Sequence, residues 1–436
     1  MLESPHRTQR TRRTPRCLAL VLAAWCCGLL GSSAATAAGE QLQVLHWWTS
    51  ASERKAANAV ALRLAAEGVE WQDAVVPGGA GLGAGKVLRH RVLAGDAPEV
   101  TQMIGVSIGE AAEMGLLLQL DGTARKEQWA RVLFPAVWQL VQHRGHTVAA
   151  PIGVHRVNTL FFNKRVLDGL GLAPPRSWAE LDALLPALRK AGVAALAQSS
   201  EPWQVATLFE SLLLADGGSA LYRALFQRHE PPAVNDPRFL SALQRLRALQ
   251  AHMGPAVGEQ PWTSVLAALK RGDAAMMLMG DWVKGELLAS GQKLGEDFGC
   301  MAAPGTAGLH LYSVDSFTMF AKDYRHTPAQ EKLARLLVSP AVQAEYNAIK
   351  GSVSVRRDAD PTRMDACARD SWQAFGQPAQ QLVPSLSHRM ATDEASKDAI
   401  VAELHRYFTD PSVQAADVQR RLGAMFRVLP RPPLLQ

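Results

Sequence analysis

The sequence predicts an α/β fold, in a chain long enough for two lobes, on three observations. The chain has 436 residues, enough for two lobes that each bury a core. Hydrophobic residues at 48% and charged residues at 20% describe a folded globular protein rather than a disordered or fibrous one. From residue 41 onward strand-like and helix-like patterns alternate. A βαβαβ start of this kind predicts an open sheet with helices on both faces, and a ligand site at the carboxyl ends of its strands.

The first 38 residues stand apart. Arg7, Arg10, Arg12, Arg13 and Arg16 form a basic head, Cys17–Leu30 is an apolar run, and small residues lead to Ala35-Thr36-Ala37-Ala38. Basic, then apolar, then small is the order of a secretory signal peptide, and the apolar run is short for a membrane span. The expected destination is the periplasm. The leader holds five Arg and one Glu, so without it the formal charge of +6 falls to +2. With no basic stripe and no aromatic-basic interleaving, nucleic acid is not an expected partner. Cys17, Cys26 and Cys27 leave with the leader. Cys300 and Cys367 remain in an oxidising compartment, and a disulfide between them is expected.

Element by element, Gln41–His46 alternates as a strand, and 52–67 carries Ala57, Val60, Ala61 and Leu64 at helical spacing. A strand over 71–76, a Gly-rich loop over 78–85, a helix over 86–94 and a strand over 98–104 complete the βαβαβ run. Residues 148–162 form an unusually long strand-like run, and 312–320 a second. Helices are predicted over 177–190, 202–215, 236–250, 263–270, 281–290, 327–338 and 340–350, with a buried strand over 273–279. The two long runs are the candidate crossings between lobes.

Gly79-Ala80-Gly81-Leu82-Gly83-Ala84 follows a strand and formally matches a dinucleotide fingerprint. Ala80 and Val87 break the phosphate-loop pattern, so the segment reads as a Gly-rich turn that lets backbone approach a ligand. No cofactor is expected. His143 and His146 lack a third ligand nearby and read as a surface helix end rather than a metal site. No nucleophile elbow or Cys/His arrangement is present, so no catalytic residue is assigned.

Trp47-Trp48-Thr49-Ser50-Ala51-Ser52-Glu53 sits at the carboxyl end of the first strand. Indole faces stack on the apolar face of a pyranose ring while polar neighbours take its hydroxyls. The alternative is that one Trp is core and the other covers the sheet edge. Glu53 also has two readings: an acceptor for ligand hydroxyls, or the second half of a capping box begun by Ser50. Asp281 reads as a helix N-cap. Trp282 suits core and cleft equally, His155 and Arg156 suit backbone contacts as well as ligand, and Trp178 reads as structural.

Several segments together resemble a known family. Val44–Glu53 (VLHWWTSASE), Pro151–Leu167, Pro174–Leu181, Lys270–Trp282 (KRGDAAMMLMGDW), Tyr312–Phe317 (YSVDSF), Lys350–Arg356 (KGSVSVR) and Val383–Met390 (VPSLSHRM) occur in the order found in the extracellular solute-binding proteins of sugar ABC transporters. The chain most resembles the glucose/mannose-binding branch. The resemblance implies a periplasmic-binding-protein type II fold, with two α/β lobes, a hinge and a ligand cleft. It implies an N-terminal lobe of 39–152 plus about 313–352 and a C-terminal lobe of 153–312 plus about 353–436. It implies ligand contacts at Trp47, Trp48, Glu53, Gln102, His155, Trp282, Asp315, Lys350 and His388.

The implied function is reversible, non-catalytic capture of a monosaccharide, glucose or a similar aldohexose, and its delivery to membrane permease subunits. A chemoreceptor or sensor kinase is a further implied partner. The alternatives are an exported carbohydrate-active enzyme, and a sugar-binding paralogue with changed or lost ligand used in sensing. Three positions depart from relatives that carry polar residues there: Ile104, Gly153 and Ser313. Each removes a hydroxyl partner, and an unmatched buried hydroxyl costs about 1–3 kcal/mol, so the cleft is expected to be retuned.

Overall fold

The computed structural model describes residues 40–78, 81–254, 257–322 and 324–430, with the side chain of residue 82 left out. The expected leader lies outside the described residues, as do Gly79 and Ala80 of the Gly-rich turn. The βαβαβ start is present as β1 (Glu40–His46), α1 (Ala51–Ala66), β2 (Val69–Val75), α2 (Leu82–Leu93) and β3 (Val100–Ile104). Parallel β2 and β3 flank β1. α2 begins four residues before the expected 86, because Gly81 takes a left-handed φ of 70° as its N-cap and lets the helix start at once.

The strands form two principal sheets. The first runs Leu382–Pro384, His310–Met319, β3, β1, β2, with Ala150–Arg156 pairing on His310–Met319. The second runs Phe298–Ala302, Thr159–Asn163, Ala274–Met279, Ala194–Leu196. One core gathers Leu42, Val44, Trp48, Ile152, Val314 and Phe317 around the first sheet. Others gather Leu160, Leu208, Phe209, Met276 and Leu278, and Phe161, Met277 and Phe298, around the second. Apolar faces on both sides of each sheet are what helix-covered sheets require.

The long run expected over 148–162 is two strands in different sheets, broken at Val157-Asn158. Asn158 fixes the break with its side chain. Its Nδ2 donates to Thr306 Oγ1 at 2.9 Å and to the Leu309 carbonyl at 3.1 Å, and its Oδ1 accepts from Leu311 N at 2.9 Å. One Asn thus ties the outgoing crossing to the returning segment 306–311. The helix expected over 202–215 continues as Pro202–Phe226, bending at Gly218, whose φ is 66°.

Cys300 and Cys367 form a disulfide with Cα atoms 6.1 Å apart. Cys300 lies on an edge strand of the second sheet. Cys367 lies on the helix Ala366–Phe375, which buries Ala368 and Phe375 in the first-sheet core. Lys284 Nζ to Asp365 at 2.8 Å and Arg156 Nη1 to Asp370 at 2.9 Å hold the same helix. His143 and His146 sit on a two-stranded hairpin, not a helix end: Arg144, at φ 50°, and Gly145 make a turn that a helix cannot hold. Among the described residues no metal-binding cluster occurs, and no helix is long and apolar enough to cross a membrane.

Candidate functional site

The carboxyl ends of β1 and β3 open onto a cleft of about 420 Å³, inside the range of about 300–1,000 Å³ of small-molecule sites. Its wall on the first-sheet side includes Trp47, Trp48, Glu53, Ile104, Ser313, Asp315 and Lys350. The facing wall includes Glu201, Trp203, Trp262, Thr263 and Trp282. His155 and His388 border it as well. Eight of the nine residues expected from sequence therefore meet here. The ninth, Gln102, stands behind the wall and donates to Asp315 Oδ1 at 3.1 Å.

The two Trp, just past the end of β1, part in opposite directions. Trp48 turns into the core at 1% exposure, edge-on to Phe317 with centroids 5.4 Å apart and against Tyr346 at 5.5 Å. Its ring belongs to the core, so the expectation of two stacking indoles reduces to one at this strand end. Trp47 is half-buried and faces the cleft, and a Cβ on Gly81 would lie 2.9 Å from its ring. The left-handed glycine thus lets the Gly-rich turn close over one indole face.

The capping-box reading of Glu53 holds, and its carboxylate also lines the cleft. Its Oε2 accepts from Thr49 N at 3.0 Å and Ser50 N at 3.1 Å, and Ser50 Oγ accepts from Glu53 N, completing the capping box. Its other oxygen accepts from Lys350 Nζ at 3.0 Å. Lys350 comes from the last turn of the helix Pro340–Lys350, and its ammonium lies 5.9 Å from the Trp282 ring centroid.

The second charged group is a chain through His155. Nδ1 meets Asp281 Oδ1 at 2.6 Å and Nε2 meets Asp315 Oδ2 at 3.1 Å. With a carboxylate on each nitrogen, both must donate. Burial alone would lower this imidazole, but Asp281 and Asp315 push it up to about 9. Burial would likewise raise Asp315, yet the charge of His155, with Lys350 and Gln102 adding to it, holds the carboxyl below its usual range. Asp281 is not the expected helix cap. It occupies the N-cap position without capping, because its carboxylate is committed to His155 and to Arg156 N at 2.9 Å. Arg156 turns away from the cleft toward Asp370 and the Leu309 carbonyl.

On the facing side Trp203, Trp282 and His388 pack in a ring cluster with centroids 5.2–6.3 Å apart. Burial, then the charge of His155, push His388 down to about 3. Sequence reasoning missed Glu201, Trp203 and Trp262. Their common signal is a Pro-Trp pair at a helix start, Glu201-Pro202-Trp203 and Gln260-Pro261-Trp262. Gln204 Nε2 ties the two together, donating to Glu201 Oε2 at 2.7 Å and to the Gln260 carbonyl at 3.0 Å.

Ile104 and Ser313 border the cleft, as expected of positions that change it. Gly153 is different. A Cβ there would lie 2.8 Å from Asn347 Oδ1 and 2.9 Å from Ser352 Oγ. Its side-chain direction is filled by protein, so no ligand contact is lost at this position.

Comparison with known proteins agrees with this geometry. The model of the bacterial extracellular solute-binding protein family matches residues 49–344. A protein of Brucella melitensis named "Probable sugar-binding periplasmic protein" is 36% identical over 387 residues, covering 88% of this chain and 92% of its own. Among solved structures, a chitin oligosaccharide binding protein superposes with a TM-score of 0.76 at 15% identity, covering 89% of this chain and 98% of its own. The solute receptor AcbH, described as preferring b-D-galactopyranose exclusively, superposes with a TM-score of 0.76 at 16% identity, covering 89% and 99%. The fold is thus the type II periplasmic-binding-protein fold, two α/β lobes about a cleft. On its family match and on a relative that shares more than a third of its residues over nearly the whole length, this chain belongs to the bacterial extracellular solute-binding protein family.

Proposed function

We propose that the protein is the periplasmic receptor of an ABC sugar importer, and that it binds a monosaccharide, glucose or a similar aldohexose, without chemical turnover. The carrying observation is one cleft that holds Trp47 on one wall and Trp203, Trp262 and Trp282 on the other, with carboxylates of Glu53, Asp315 and Glu201 around them. Indoles supply stacking faces. Ionised carboxylates accept vicinal hydroxyls through the stronger, charge-assisted kind of hydrogen bond. The names of the relatives, sugar-binding and periplasmic, support the same reading.

In this reading the lobes follow the division expected from sequence, 39–152 with about 313–352 against 153–312 with about 353–436, except that 153–156, 310–312 and 382–384 pair in the first sheet. The helix Ala366–Phe375 goes with the first core, where Ala368 and Phe375 pack. Contacts split between facing walls favour a closed state once ligand is present, and that shape is what permease subunits would recognise. A calorimetric screen of aldohexoses, their disaccharides and polyols tests the proposal. Saturable micromolar or tighter binding, about −8 kcal/mol or better, is expected for a monosaccharide, with disaccharides left intact. Silence throughout the screen would sink the sugar reading, and hydrolysis of a disaccharide would move the protein to the enzymes.

A further inference from the structure

Glu210 lies behind the cleft wall on the helix Pro202–Phe226, at 0% exposure, and among the described residues it forms no salt bridge. Burial pushes its carboxyl up, and five donors answer that burial. Oε2 accepts from Ser387 Oγ at 2.7 Å, Ser385 Oγ at 3.1 Å and Ser387 N at 3.3 Å. Oε1 accepts from Tyr222 Oη and Leu386 N. Two backbone N–H groups and three hydroxyls converging on two oxygens suit the ionised form, which only accepts, so each serine commits its single hydrogen to Glu210.

The serine oxygens then have lone pairs alone to offer: Ser387 Oγ meets Thr207 Oγ1 at 3.1 Å, Ser385 Oγ accepts from His388 N at 3.3 Å, and both also face one ring nitrogen. His388 Nδ1 lies 2.8 Å from Ser387 Oγ and 3.0 Å from Ser385 Oγ. Between two oxygens whose hydrogens are spent, Nδ1 must carry a hydrogen. Burial first, then the charge of His155, keep the ring neutral at pH 7, so it carries only that one. Nε2 is left bare. His388 borders the cleft, and Nε2 has no hydrogen-bond partner in the protein among the described residues.

The geometry points to Glu210 as a positioning residue that sets the tautomer of His388 through Ser385 and Ser387, so that the cleft offers an acceptor at Nε2 and selects a ligand donating a hydroxyl hydrogen there. The identity of that hydroxyl rests on the sugar-receptor reading. The tautomer does not, because Glu210, Ser385 and Ser387 stand outside the lining of the cleft.

The test reads imidazole nitrogens by long-range ¹H–¹⁵N spectroscopy on ligand-free, labelled full-length mature protein at pH 7. His388 is assigned by the signal lost in His388→Gln. Wild type should show Nδ1 protonated and Nε2 bare. Glu210→Gln should move the hydrogen to Nε2. Its amide oxygen takes the place facing both Leu386 N–H and Tyr222 Oη, against the single, longer Ser387 N–H contact of 3.3 Å on the other side, so its NH₂ faces the serines, which then donate to Nδ1. An Nε2-protonated wild type, or a folded Glu210→Gln that keeps Nδ1 protonated, overturns the proposal. Should Glu210→Gln not fold, Ser385→Ala/Ser387→Ala removes the relay and should give mixed tautomers, and an unmixed Nδ1–H signal there overturns it too. With D-glucose as probe, Glu210→Gln should weaken binding roughly tenfold or more. Wild type that ignores D-glucose would count against the monosaccharide reading, while the relay is judged on the ligand-free spectra.

Discussion

The two walls of the cleft solve opposite problems. The first-sheet wall is charged, and its charges are already paired: Glu53 with Lys350 and two backbone amides, Asp315 with His155 and Gln102. The facing wall is mostly aromatic, with Trp203, Trp262 and Trp282 around a neutral His388. Paired charges are held in place before ligand arrives, so the first wall pays its ordering cost during folding. An aromatic wall needs no such pairing. The comparison teaches that mutations on the first wall should be felt in stability and binding together, and those at the half-buried Trp262 of the second chiefly in binding, while Trp203 and Trp282, buried in the core behind that wall, should show in both.

The largest effect is expected from His155→Ala. It leaves Asp281 and Asp315 buried without the cation between them, a loss of about 3–5 kcal/mol by denaturant titration. A loss below 1 kcal/mol would mean that water or rearrangement already screens the two carboxylates. The same residue gives a pH signature. Its folded pKa, about 9, lies above the ordinary 6.5, so its contribution is full below about pH 6.5 and fades as pH rises through about 9. His388 has the opposite sign. Held near 3, it contributes above about pH 6.5, and that contribution fades as pH falls toward 3. Stability should therefore decline on both sides of about pH 6.5, and the alkaline decline should vanish in His155→Gln.

Opening the disulfide should come next. It closes a separation of 67 residues, which on the chain-entropy estimate stabilises the fold by about 4 kcal/mol. Thermal melts with and without reductant measure it, and identical melts would show that the link adds nothing to what Lys284–Asp365 and Arg156–Asp370 already hold. Glu53→Gln is smaller. Gln still accepts the Thr49 and Ser50 amides, so pure capping would cost about 1 kcal/mol or less, but Lys350 loses its partner and the total rises to about 1–3 kcal/mol. Sugar affinity, by calorimetry, should fall by more than stability does. Equal losses would make Glu53 a structural residue. The smallest stability change, within about 0.5 kcal/mol, belongs to Trp262→Ala, at a half-buried position of the second wall. Sugar affinity there should still fall roughly tenfold. A large stability loss with affinity intact would reverse the comparison.

Legibility followed the same division. The first wall was readable in part because Trp47 and Glu53 are local, six residues apart on one strand–loop–helix unit where Ser50 announces the cap, while Asp315 and Lys350 came from the family resemblance. The second wall was read only at Trp282 and His388, which the family resemblance implied; Glu201, Trp203 and Trp262 were missed, because tertiary packing brings them there through ties such as Gln204 that no local pattern displays. The roles of Asp281 and of Gly153 were misread for a related reason. Residue type at a helix start suggests a cap, and a lost Asn suggests a lost contact, but the first depends on where His155 lies and the second on the space occupied by Asn347 and Ser352. The run 148–162 shows a further limit. Apolar periodicity continues through Val157-Asn158, and only the hydrogen bonds of Asn158 reveal that the chain changes sheets there.

The placement of Cys300–Cys367 carries a mechanical consequence. The link joins the margin of one sheet to a helix packed on the core of the other, beside Arg156 and Asp281 and next to the point where the chain passes between sheets. Pro77, Gly78, Trp262 and Thr263 border the cleft itself. A book stitched along its spine can still be opened, but its covers can neither slide past one another nor come apart at the back. Oxidation on export would act as that stitching, leaving the two covers little freedom except to swing about one bound edge.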